Sequence, residues 1–177
     1  MSELNELIVK YENSIHDIYK AYRFSHCGLY NLREVFLQSK LDNGTKFFKI
    51  EDQDLGVNIR FTEMEIGEAS DGGYYQRLMA GSIIAMIYNV WEDNYRAKIA
   101  KCLGYEEKND LKSDVFGDLA KIRHEITHNK FNRSSKIDKL LIFGYLFKND
   151  GFILDSLTVN EIVEKVLVEL ESMKESE

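Results

Sequence analysis

Ten consecutive residues, Lys121-Ile122-Arg123-His124-Glu125-Ile126-Thr127-His128-Asn129-Lys130, gather a guanidinium, two imidazoles, a carboxylate, a hydroxyl and a primary amide. Two of the four histidines fall here, so groups that titrate near neutral pH are concentrated in one place. Such a set could transfer protons through an imidazole and hold an anion on the guanidinium. Spacing limits how the groups combine. Arg123 and His128 are five residues apart, roughly 140° around a straight helix. Arg123 borders the apolar stripe, whereas His124 and His128 share the opposite, more exposed flank. Joint action of Arg123 and His128 therefore requires a helix end that unwinds near His128 or a second copy of the chain across a two-fold axis.

Charge around the stretch suits an anionic ligand. The chain carries a net charge of -7, which argues against nucleic acid as a partner. Between Lys121 and Lys139, however, six basic residues stand against Glu125 and Asp138, so this segment is +4 and the remainder -11. Lys121, Lys130 and Arg133 are the candidate phosphate contacts, with cations on a solvated helix end as the competing reading.

The elements that must position these residues are helical. The 177 residues are enough for one domain with a real core, and the absence of proline favours long helices. Ser2 can cap a helix with apolar positions Leu4, Leu7, Ile8, Tyr11, Ile15, Ile18, Tyr19 and Tyr22. A break is expected at Ser25 to Gly28, then a second run to about Leu41 and a stop at Asp42-Asn43-Gly44. Residues 46–50 and 57–61 are β-prone and predict a small hairpin, with an irregular loop as the alternative. The longest helical pattern runs from Tyr74 to about Leu103, with Asn94 in the middle of its apolar stripe. The next helix is expected from Asn109 or Asp110 and carries the ten-residue stretch as its last turns. Asn129 to Ser135 leaves it. Lys148-Asn149-Asp150-Gly151 reads as a turn, and Thr158 or Asn160 as the cap of a terminal helix. The expected fold is all-α, a single-domain bundle over 1–177 of four to five main helices, with a small β-hairpin or irregular insertion near 45–63.

The order Arg123-His124-Glu125-Ile126-Thr127-His128-Asn129, an arginine, four residues, a histidine and an asparagine on a late helix, resembles the HEPN superfamily of α-helical, nucleic-acid-associated domains. Trp91-Glu92 on the earlier long helix is similar to an aromatic–acid pair that packs behind the arginine in many such domains. The resemblance covers roughly residues 74 to 131. It implies metal-independent RNA cleavage, with His128 as general acid or base, Arg123 on the scissile phosphate, and Asn129, His124 and Glu92 in support. The implied products are a 2′,3′-cyclic phosphate and a 5′-hydroxyl, the implied setting a toxin or antiphage effector with an antitoxin or regulatory partner, and the implied assembly a homodimer with a composite cleft. The sequence departs from the pattern at His124, where asparagine or aspartate is frequent. Lys130 stands where a regulated branch of the family has a tyrosine two residues past the histidine. The competing expectation is a non-catalytic interaction or nucleotide- or RNA-binding module of the same fold.

Other residues read as structural. Arg123 alone could be a salt-bridge partner of Glu92 or Glu125. Trp91 and the tyrosines follow the apolar stripes and belong to the core. His16 and His26 stand apart among tyrosines. Cys27 and Cys102 lack paired spacing and are expected as small buried residues of a reducing, cytoplasmic compartment. No cofactor and no metal is expected, since the sequence holds no glycine-rich phosphate loop, no acidic cluster with metal spacing and no cysteine zinc motif. Neither a signal peptide nor a membrane span is expected.

Overall fold

The computed structural model of the chain describes residues 2–147 and 152–175. It is an all-α bundle with one small β-hairpin. The first helix, α1 (Glu3–Asn43), begins where the Ser2 hydroxyl accepts a hydrogen bond from Asn5 N–H and ends at Gly44, whose φ of 67° closes the last turn. The break expected at Ser25 to Gly28 does not occur: α1 is continuous through Gly28. A glycine costs a helix only about 1 kcal/mol relative to alanine, and with no proline nearby the flanking turns carry the helix across it.

Strands β1 (Phe47–Asp52) and β2 (Val57–Thr62) pair antiparallel, with Phe47 opposite Thr62 and Asp52 opposite Val57. Gly56, at φ 65°, completes the reversal between them. Thr62 then starts the short α2 (Glu63–Gly67) through a capping box with Glu65.

Helix α3 (Tyr74–Val90) continues without interruption through a π turn, Trp91–Tyr95, into α4 (Arg96–Cys102). The Arg96 N–H reaches back five residues to the Trp91 carbonyl. The extra residue shifts the helical phase, so Trp91 is buried while Asn94 faces solvent. Asn94 is therefore not the buried amide that an uninterrupted 3.6-residue period predicts.

Helix α5 (Asp114–His128) starts later than the expected Asn109 or Asp110, where Ser113 accepts from Phe116 N–H. Leu111 is buried as part of the core although it precedes the helix. Helix α6 (Ser156–Lys174) is capped by Asp155, which accepts from Thr158 N–H at 2.8 Å, so neither Thr158 nor Asn160 is the cap. The expected turn at Lys148-Asn149-Asp150-Gly151 lies outside the described residues.

The core is built where α1, α3, α5 and α6 meet. Trp91 stacks on Phe116 with ring centroids 3.9 Å apart, and Tyr11 packs on both. The Tyr11 hydroxyl donates to the Ile87 carbonyl at 2.9 Å, which satisfies a phenol buried among apolar side chains. Helix α6 is tied to α1 by Lys174 to Glu12 and by Tyr19 to Asn160. Asp71 fastens the start of α6 to the α2–α3 loop by accepting from the Ser156 N–H and hydroxyl. Cys102 is half-buried, but Cys27 is exposed, contrary to expectation. No helix of the described residues is long and apolar enough to cross a membrane.

Candidate functional site

Helix α5 presents the ten-residue stretch, and its two flanks are fixed by different means. On the buried side, Val115, Leu119 and Ile122 set the rotation of the helix against the core. Two fully buried carboxylates, Asp118 and Glu125, then lock it to the segment that follows. Asp118 accepts from the backbone N–H groups of Ile142 and Phe143 at 2.7 and 3.1 Å and from the Lys121 ammonium at 2.9 Å. Glu125 accepts from the Asn129 amide at 2.8 Å and the Ser134 hydroxyl at 2.7 Å. A buried carboxylate must be satisfied in this way.

The chain turns sharply after His128. Lys130 and Phe131 both adopt left-handed backbone, at φ 50° and 63°. This folds the Phe131 ring back against α3 at Gly81, where an added Cβ would lie 2.7 Å from the ring edge. Glycine at position 81 is thus required by the close approach of Phe131, and the fixed reversal sets where His128 and Asn129 end up.

The histidines and the arginine lie on separate flanks, as their spacing requires. His124 and His128 stand side by side with ring centroids 4.7 Å apart. His128, Asn129, Lys130 and Arg133 line an open depression of about 370 Å³. His124, Lys121, Lys136 and Lys139 line another of about 350 Å³. Arg123 is half-buried on the α3 side, with its guanidinium carbon 5.8 Å from the Tyr88 ring centroid. Its Nε is buried with no hydrogen-bond partner among the described residues. Burial, reinforced by Glu92, raises the Tyr88 phenol, so Tyr88 is neutral beside the guanidinium. The helix remains regular through His128, so Arg123 and His128 of one chain do not converge by local unwinding.

The other expected site residues are placed as follows. Glu92 pairs with Arg96 at 2.9 Å and Lys108 at 2.8 Å rather than with Arg123. Burial opposes its charge, but hydrogen bonds from Lys108 and Arg96 hold the carboxyl below its ordinary pKa. Trp91 packs on Phe116 and Tyr11, and the aromatic ring that faces Arg123 is Tyr88. Asn129 supports the helix end through Glu125. Lys121 donates to Asp118 and to the Lys139 carbonyl, and Arg133 donates to Asp138 and to the Phe147 carbonyl. Both therefore fasten the 133–147 segment instead of standing free as phosphate contacts. Lys130 is exposed, with no side-chain hydrogen bond or ion pair among the described residues. His16 is exposed, and His26 approaches Asp71 at 3.4 Å, away from the other two histidines.

The structural importance of Asp118 and Glu125 was not apparent from the sequence. The available signal is their spacing of seven residues, which sets both roughly 80° from the centre of the apolar stripe on the same flank. Comparison with protein families, curated proteins and solved structures returns no match for this chain.

Proposed function

We propose that this chain is a HEPN-type, metal-independent endoribonuclease, a cytoplasmic toxin or antiphage-defence effector whose Arg123 and His128 act in a cleft shared by two copies. The observation that carries this reading is the pairing, on the last turns of α5, of a guanidinium whose Nε is buried and unpartnered with an exposed imidazole at the helix end. An arginine without a carboxylate partner is available to bind a phosphate through two N–H groups and to stabilise charge as the transition state forms. His128 supplies a group that accepts or donates a proton near neutral pH.

In the reaction, the ribose 2′-oxygen loses its proton to a base and attacks phosphorus. The bond to the 5′-oxygen breaks and that oxygen receives a proton, leaving a 2′,3′-cyclic phosphate and a 5′-hydroxyl. In each of two composite sites, His128 of one copy would take the 2′ proton and return it to the 5′-oxygen, with Arg123 of the other copy on the phosphate. Asn129 holds the helix end, and Lys130, exposed and without a side-chain bond among the described residues, would meet a neighbouring phosphate.

A second reading is a non-catalytic interaction or nucleotide- or RNA-binding module of the same fold. It is favoured by the engagement of Lys121 and Arg133 in structural bonds, which lowers the positive charge available to RNA. An antitoxin or other regulatory partner is compatible with either reading. The readings part in an assay of RNA cleavage in the presence of a chelator, comparing the wild type with Arg123→Ala and His128→Ala. The nuclease reading expects cleavage by the wild type, cyclic-phosphate product ends, and loss of both in each variant. Equal and negligible cleavage by all three proteins would sink it.

A further inference from the structure

The same turns of α5 spell a second pattern. His124-Glu125-Ile126-Thr127-His128 is H-E-x-x-H, a spacing that sets two imidazoles on one face of a helix one turn apart and that can bind zinc. Here the two rings do lie adjacent, with centroids 4.7 Å apart and planes inclined by 40°. Neither ring makes a hydrogen bond among the described residues, so their nitrogen lone pairs are not committed to the protein. On the same flank Lys121 is drawn away by Asp118 and the Lys139 carbonyl, while Lys136 and Lys139 border the depression beside His124 and Lys130 the one beside His128.

The rest of a zinc-hydrolase centre is lacking. Glu125, which would have to activate a metal-bound water, is fully buried and takes hydrogen bonds from Asn129 and Ser134. No group of three or more histidine, cysteine, aspartate or glutamate side chains is placed to hold a metal among the described residues. Two imidazoles with water in the remaining positions make a chelate for an ion, not a hydrolytic site.

We infer that His124 and His128 form a two-point site for a divalent transition-metal ion of the zinc and nickel class, which prefers imidazole, and that occupancy silences His128. A ring nitrogen bonded to metal can neither accept nor donate a proton. The binding half stands on the geometry alone. The inhibitory half rests on the ribonuclease reading.

The test is titration calorimetry of the full, untagged chain with zinc chloride and with nickel chloride, for the wild type, His124→Ala, His128→Ala and His16→Ala. Both target imidazoles lie at the surface of α5, and circular dichroism checks that each variant folds. The expected result is a single ion bound per chain by the wild type and by His16→Ala, and loss of that event in both α5 variants. Absence of binding by the wild type, or binding that survives either α5 substitution, including capture by the exposed Cys27 thiol, overturns the site. Zinc is further expected to stop RNA cleavage by the wild type and a chelator to restore it. Binding that follows the two histidines in a protein that cleaves no RNA would uphold the chelate and overturn the nuclease reading.

Discussion

Lys130 shows how backbone and charge interact at one position. Its left-handed φ of 50° costs a non-glycine residue about 1 kcal/mol, and its ammonium stands exposed beside His128. Glycine fits that backbone but loses a comparable amount of chain entropy on folding, so Lys130→Gly should remove the charge with little change in stability. On the RNA-binding account, the substitution weakens affinity for single-stranded RNA about equally across sequences and lowers the salt-dependence slope by about one. Fluorescence anisotropy over a salt series, on a His128→Ala background to prevent cleavage, measures this. An unchanged slope would remove Lys130 from the contact. Arg123 differs in kind, because its unpartnered Nε is buried while its charge faces a neutral phenol. No carboxylate pairs with the guanidinium among the described residues, so on the proposed reading its charge is available to a phosphate.

At the scale of elements, α5 is held by carboxylates as much as by its apolar stripe. Asp118→Ala leaves the Ile142 and Phe143 N–H groups and the Lys121 ammonium without their acceptor, which should cost about 3 kcal/mol of stability. Urea denaturation reads this directly, and a loss below about 0.5 kcal/mol, the range of ordinary surface substitutions, would contradict the anchoring role. Helix existence was legible from apolar spacing, the hairpin from its β-prone runs, and the ends of α1 from Ser2 and Gly44. What escaped was set by tertiary partners. Gly28 stays helical because nothing nearby forbids it, and Leu111 is buried without being helical. Asn94 is turned outward by a π turn that no local propensity marks. The separation of Arg123 from the two histidines was readable from residue spacing, because it depends only on helix geometry. The fates of Glu92, Lys121 and Arg133 were not, because each is decided in part by Lys108, the Lys139 carbonyl or the Phe147 carbonyl, far away in sequence.

For the whole molecule, the regularity of α5 through His128 has a direct consequence. One chain does not bring Arg123 and His128 to a common point, so a shared reaction requires a second chain. Residues 121–139 carry +4 against -11 in the rest of the chain, and on the proposed reading RNA and the second copy would meet there. The most direct measurement is RNA cleavage, with chelator present, by Arg123→Ala and His128→Ala proteins alone and after being unfolded and refolded together. In a mixed dimer one of the two composite sites keeps both native residues. The account predicts that each variant is inactive alone and that the mixture regains a substantial part of wild-type cleavage. A wild type that cleaves while the mixture stays inactive would contradict the shared cleft, and a wild type that does not cleave would contradict the ribonuclease itself.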